Sequence, residues 1–152
     1  MEPYTDIDSF DRDPEIATAL GNMVVAWATA ETALMFAMCA ICEISTDMAH
    51  FGFYRIPTFE ARVKFLQGMI PAWSTTQYDK DEISRTIDRI SRLSATRNNW
   101  VHGVWSKHRS TDEVVVFNFR AKEGSGRIKP VKAQDINHHA MTLRQATNLT
   151  AS

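Results

Sequence analysis

A chain of 152 residues, 44% hydrophobic and 23% charged, carries enough apolar material for one core of ordinary size and too little length for two comfortable domains. Seventeen Lys and Arg against 18 Asp and Glu give a formal charge of −1, so no global positive field draws the protein to nucleic acid or to an anionic membrane. Two cysteines and six glycines exclude a disulfide-stapled secreted module and a low-complexity chain, leaving a single domain over residues 1–152 as the expectation.

Residues 1–13 read as an acidic arm without the apolar stretch of a secretory leader, which predicts a cytoplasmic protein in reducing surroundings. Pro14 after Asp13 opens a first helix whose apolar residues recur at helical spacing from Ile16 to Ile44. Its run from Met23 to Cys42 approaches the roughly 20 residues of a membrane span. Glu31 at the middle and the lack of flanking Lys or Arg predict instead a buried central helix and no membrane. A loop with Gly52 and Pro57 follows. Thr58 then caps a second helix carrying Phe59, Val63, Leu66 and Ile70, which Pro71 ends. A third helix starts near Asp79–Asp81 and carries Ile83, Ile87, Ile90, Leu93, Val101 and Val104, with Gly103 the first residue to weaken it. Residues 113–119 and 127–132 read as a hairpin around the turn at Gly124, Ser125 and Gly126, with Pro130 confining the second strand to an edge. Asp135 caps a last helix with Ile136, Ala140, Leu143 and Ala146 along one side. The expected fold is mostly α, with four main helices and a small β-hairpin, inserted within residues 105–132, before the last helix.

Helical wheels place charges where a core belongs. On the third helix, with Ile83 at zero, Arg97 falls at about −40°, near the centre of an apolar arc reaching from Trp100 to Ile87 and Trp105. Asn98 and His102 lie on the flank of the same arc, whereas Arg85, Arg89 and Arg92 take the opposite face. Glu31 and Arg62 fall inside the apolar arcs of the first and second helices. An unmatched buried ion costs several kcal/mol, so Glu31 and Arg62 are expected to form a structural ion pair, whose loss in Glu31→Ala would cost roughly 3–5 kcal/mol. Arg97 is then left to a cleft, a subunit partner or an anion, and its planar fork suits phosphate oxygens.

The stretch Arg97-Asn98-Asn99-Trp100-Val101-His102 resembles the motif of the HEPN domain family, an Arg, a polar residue, any three residues and a His, on a late helix of a helical bundle. That resemblance covers roughly residues 14–105 and part of the last helix. It implies a metal-independent endoribonuclease with no cofactor, a homodimer with the motif at its interface, and a toxin or phage-defence effector that an antitoxin protein could restrain. Arg97, Asn98 and His102 would be the catalytic residues. The family also contains non-catalytic modules that bind nucleotides or partner proteins, which is the alternative reading.

The chemistry is coherent with these residue types, since attack by a 2′-hydroxyl on its own phosphodiester needs a proton acceptor near neutrality and a cation for the developing charge. Residues 97 and 102 stand about 140° apart on a helix, poor geometry for gripping one phosphate from one subunit, and a two-fold interface repairs it. Seven Lys and Arg in residues 105–132 make that segment the basic side, either an ordinary solvated surface or a phosphate-facing arm with Lys107, Arg109, Arg120 and Lys122 as RNA contacts. Cys39-Ala40-Ile41-Cys42 matches a C-x-x-C pattern without a preceding strand or a second pair, and reads as core packing. His50, His108, His138 and His139 lack metal-ligand spacing.

Overall fold

The computed structural model describes residues 3–120 and 127–148 and is mostly helical. In chain order these are β1 (Tyr4–Asp6), α1 (Pro14–Cys42), α2 (Thr46–Phe53), α3 (Phe59–Met69), a 3₁₀ turn (Ile70–Ala72), α4 (Lys80–His102), β2 (Val104–His108), β3 (Val114–Phe117), β4 (Ile128–Pro130) and α5 (Ala133–Asn148). The strands form one antiparallel sheet in the order β1-β2-β3-β4.

Several elements differ from expectation for identifiable reasons. The loop expected around Gly52 is the helix α2. Ser45 caps it by accepting a hydrogen bond from the Met48 amide at 3.2 Å, and Ala49 and Phe53, four residues apart, bury its inner face. Gly52, placed in the expected loop, sits inside that helix with its bare Cα against Met38, where a Cβ would come within 3.3 Å of the Met38 methyl. Helix α1 stops at Cys42 because Glu43 turns into the left-handed region (φ 53°) and the Ile44 amide donates back to the Cys39 carbonyl at 3.2 Å.

The third predicted helix ends at His102, so Val104 and Trp105, placed on its wheel, are strand residues instead. The expected hairpin is present as β3 and β4, with Pro130 in the edge strand, and its turn at 124–126 lies outside the described residues. The acidic arm contributes β1, whose register pairs Tyr4 with His108 and Asp6 with Ser106. Asp112, in the turn between β2 and β3, adopts φ 57°, a conformation aspartate tolerates.

Contacts divide the chain into two compact units. One comprises the chain up to Val24 and Leu93–Met141. It holds the sheet, and its core gathers Ile16, Met23, Trp100, Val115, Ile136 and Ala140. The inward side of the sheet is tied down by Trp105, whose indole packs edge-on against Phe10 at 5.3 Å and donates to the Trp100 carbonyl at 2.9 Å. Lys107 meets Asp13, beside the start of α1, at 3.0 Å. Gly103 sits where α4 passes into β2. An added Cβ there would collide with Val116 Cγ1 and with the Asn99 carbonyl oxygen.

The other unit comprises Val25–Arg92 and the chain from Thr142 onward. Its core includes Trp27, Leu34, Phe53, Leu66, Ile90 and Leu143. Within it Glu31 Oε1 accepts from Arg62 Nη1 at 3.1 Å, with side chains 25% and 14% exposed, the pairing that the two wheels call for. Arg62 does more than balance that charge. Its Nε donates to the carbonyls of Phe53 and Ile56, both at 3.1 Å, and its guanidinium lies over the rings of Phe53 and Tyr54. A second polar lock joins α3 to α4, with Gln67 exchanging hydrogen bonds with Ser84 and donating to Asp88.

Helix α1 is not buried all round. Val24, Val25 and Phe36 are exposed along one side, and the helix is long and apolar enough to cross a membrane by length and composition.

Because Arg62 keeps its two carbonyl acceptors when Glu31 is removed, Glu31→Ala should cost less than a fully buried pair implies, about 1–3 kcal/mol. Arg62→Ala strands a carboxylate and the Ile56 carbonyl, the Phe53 carbonyl keeping the Ile56 amide, and should cost more, about 3–4 kcal/mol, with Arg62→Lys between them. Urea denaturation of the three variants gives this order directly. Gly103→Ala should lower stability by about 2–3 kcal/mol through overpacking. Adding Val116→Ala should recover only part of it, because the Asn99 carbonyl is backbone and cannot withdraw.

Candidate functional site

The motif residues occupy the last two turns of α4. Lys80–His102 forms a helix because Asp79 caps its start, its carboxylate accepting from the amides of Asp81 and Glu82, and because Ile87, Ile90 and Trp100 bury one stripe. Arg97 is half-buried, its Nε fully enclosed, and its Nη1 donates to Asn98 Oδ1 at 2.9 Å. The guanidinium is thus oriented by its own neighbour in the motif. Asn98 is exposed, and with its oxygen engaged, its NH₂ remains to donate outward. His102 is exposed at the final helical residue.

The other two motif positions hold the helix to the sheet. Asn99 Oδ1 accepts from Asn118 Nδ2 at 2.6 Å. Trp100 packs edge-on against the ring of His139 on α5 with centroids 5.0 Å apart. The sequence alone gave no sign of Asn118 or His139, since their roles depend on partners 19 and 39 positions away. Asn99 and Trp100 with Thr96, Val116, Asn118, Lys129 and Val131 enclose a small recess of about 50 Å³ on the sheet side of α4.

The basic residues of the expected arm are not equivalent. Lys107 is paired with Asp13, with Nζ 3.0 and 3.1 Å from the two carboxylate oxygens. Arg109 is exposed and its Nε reaches the Tyr4 carbonyl at 3.4 Å. Arg120 is exposed, and Lys122 lies outside the described residues. A wide cleft of about 750 Å³ opens beside β1 and the β2–β3 turn, lined among others by Asp6, Asp8, Asp11, Asp13, Arg109 and Asp112, and no motif residue lines it.

Cys39 and Cys42 are free thiols, and burial, followed by the charge of Cys39, pushes the Cys42 thiol above its ordinary value, the reverse of an activated redox cysteine. No group of three His, Cys, Asp or Glu among the described residues could hold a metal ion.

No known protein family, curated protein or solved structure matches this chain.

His139 is only 5% exposed, and its Nε2 has no hydrogen-bond partner among the described residues. Burial, and then the charge of neighbouring His138, hold its pKa below the ordinary imidazole value. The unfolded chain takes up this proton near pH 6.5, whereas the folded chain resists it to lower pH. The stability His139 contributes is therefore complete above about pH 6.5 and is lost as pH falls from there toward the folded value. Thermal melts between pH 7.5 and 5 should show a loss that His139→Phe, which keeps a ring against Trp100, reduces. Identical pH slopes for the two proteins would contradict the buried neutral imidazole.

Proposed function

We propose that this chain is a HEPN-type, metal-independent endoribonuclease acting as a homodimer. The observation that carries this reading is the state of the motif on α4, where Arg97 has its guanidinium oriented by Asn98 at 2.9 Å while His102 stands exposed on the closing helical residue. A fixed cation and an accessible imidazole are the two groups that 2′-hydroxyl attack requires.

In the proposed reaction His102 accepts the 2′-hydroxyl proton as the 2′-oxygen bonds to phosphorus. The bond from phosphorus to the 5′-oxygen breaks, and the departing oxygen takes a proton from water. Arg97 meets the charge on the non-bridging oxygens, and the Asn98 NH₂ donates to one of them. The helix separates Arg97 and His102 by about 140° and about 7.5 Å of rise, so one subunit offers each group to a different side. Two copies related by a two-fold axis through this face would present an arginine from one chain and a histidine from the other to the same phosphate. As a toxin or phage-defence effector, such an enzyme would be restrained by a partner protein covering that face.

Purified protein should cut RNA in EDTA and leave 2′,3′-cyclic phosphate ends, and Arg97→Ala or His102→Ala should abolish cutting without lowering the melting temperature. A mixture of the two variants discriminates the geometry. A heterodimer of Arg97→Ala with His102→Ala retains Arg97 in one chain and His102 in the other, so activity returns if the site is shared across the axis. It stays silent if one chain must supply both. Intact RNA after incubation with the native protein would favour the non-catalytic module.

A further inference from the structure

We propose that the exposed Phe119 end of the sheet's second face is a stacking platform for single-stranded RNA, centred on Phe119 and flanked by Arg120 and Arg127. The choice of RNA among nucleic acids rests on the ribonuclease reading above. Strand register separates two faces. Trp105, Lys107 and Val116 point inward, where they meet Phe10, Asp13 and the backbone at Gly103. The other face carries the pairs Tyr4 with His108, Ser106 with Val115, Val104 with Phe117 and Phe117 with Ile128; Ser106 and Val115 at its middle are buried, and exposure grows toward the Phe119 end.

There the rings form a continuous row. Tyr4 stands edge-on to both His108 and Phe117 with centroids 5.2 Å apart, and Phe117 lies nearly parallel to Phe119, 14° between planes at 6.1 Å. Phe119 ends the row 64% exposed, and Val104 and Ile128 beside it are exposed as well. The Arg127 guanidinium lies 5.9 Å from the Phe119 centroid.

Charge selects the occupant. Among the described residues, the carboxylates of this face are distant from Phe119 along the strands, Asp6 opposite Ser106 and Glu113 before the far end of β3, and Asp6 already accepts from Ser106 at 2.9 Å. Among the described residues no carboxylate stands at the Phe119 end beside the two exposed guanidinium groups, and a single strand brings a base for the ring and phosphates for both arginines. The platform also adjoins the motif. Val104, paired with Phe117, follows His102 by two residues, a backbone reach of at most about 7 Å. A base stacked on Phe117 and Phe119 therefore leads the adjoining phosphates toward His102.

The test uses the full chain carrying His102→Ala and a fluorescein-labelled 12-mer of oligouridylate, read by anisotropy. Phe119→Ala should weaken binding by roughly tenfold, and Phe119→Tyr should restore it. Arg127→Gln and Arg120→Gln should each lower the slope of log affinity against log salt by roughly 0.7. Unchanged affinity in Phe119→Ala, or no binding of the oligonucleotide by the parent, overturns the platform. So does a Phe119→Ala effect confined to the monomer–dimer balance by light scattering, which would make this face an interface between copies. Cleavage by the native protein is scored separately. Cutting with a silent Phe119 removes the platform alone, and Phe119-dependent binding without cutting removes the ribonuclease reading alone.

Discussion

Where α4 runs into β2, backbone packs against side chain with no room for a Cβ, and the arrangement of the motif follows from that contact. Gly103 lies under Val116 and against the carbonyl of Asn99, α4 having ended one residue earlier. The close approach lets a rigid helix pass into a strand without an intervening loop. It therefore fixes the register of Val104 opposite Phe117, sends Trp105 inward to the Trp100 carbonyl, and brings Asn118 within reach of Asn99. His102 is left as the last helical side chain, exposed beside a junction that cannot slide. A site built on such a junction inherits its precision from packing and not from long flexible side chains.

The second unit depends on a different kind of constraint. Arg62 gathers a carboxylate, two carbonyls and two aromatic faces around one planar cation. A lysine could balance Glu31 but could not fill several directions of a fixed fork at once. The carbonyls belong to Phe53 and Ile56, so the charge also satisfies the backbone as it leaves α2 on the way to α3. The ion pair is thus less an isolated bridge than the centre of a loop closure, with Glu31 one of several partners.

The features that could be read from the residues were those with a local periodicity. The inward placement of Glu31 and Arg62 emerged from 3.6-residue spacing alone, as did the apolar side of α5, where Ile136, Ala140, Leu143 and Ala146 are all buried. The strands β1 and β2 were hidden because three to five residues carry too little pattern, and because Val104 and Trp105 happen to continue the helical stripe past Gly103. Helix α2 was hidden by Gly52, whose propensity argues against a helix while its packing against Met38 favours a residue without a side chain. Within the motif, the identities of Arg97, Asn98 and His102 were legible, but the bond from Arg97 to Asn98 and the anchoring of Asn99 and Trp100 were not. Those depend on rotamers and on strands distant in the sequence.

The pairing of Tyr4–Asp6 with Ser106–His108 joins stretches about a hundred positions apart, as the Ser106 to Asp6 hydrogen bond marks directly. During translation at about 5–20 residues per second, β1 leaves the ribosome roughly 5–20 s before the strand it must join. Through that interval its backbone donors and acceptors have only water as a partner. The sheet can therefore be completed at this edge only after most of the chain has been made. The acidic residues that follow β1, Asp8, Asp11 and Asp13, give the waiting segment a negative charge that disfavours pairing with another nascent copy.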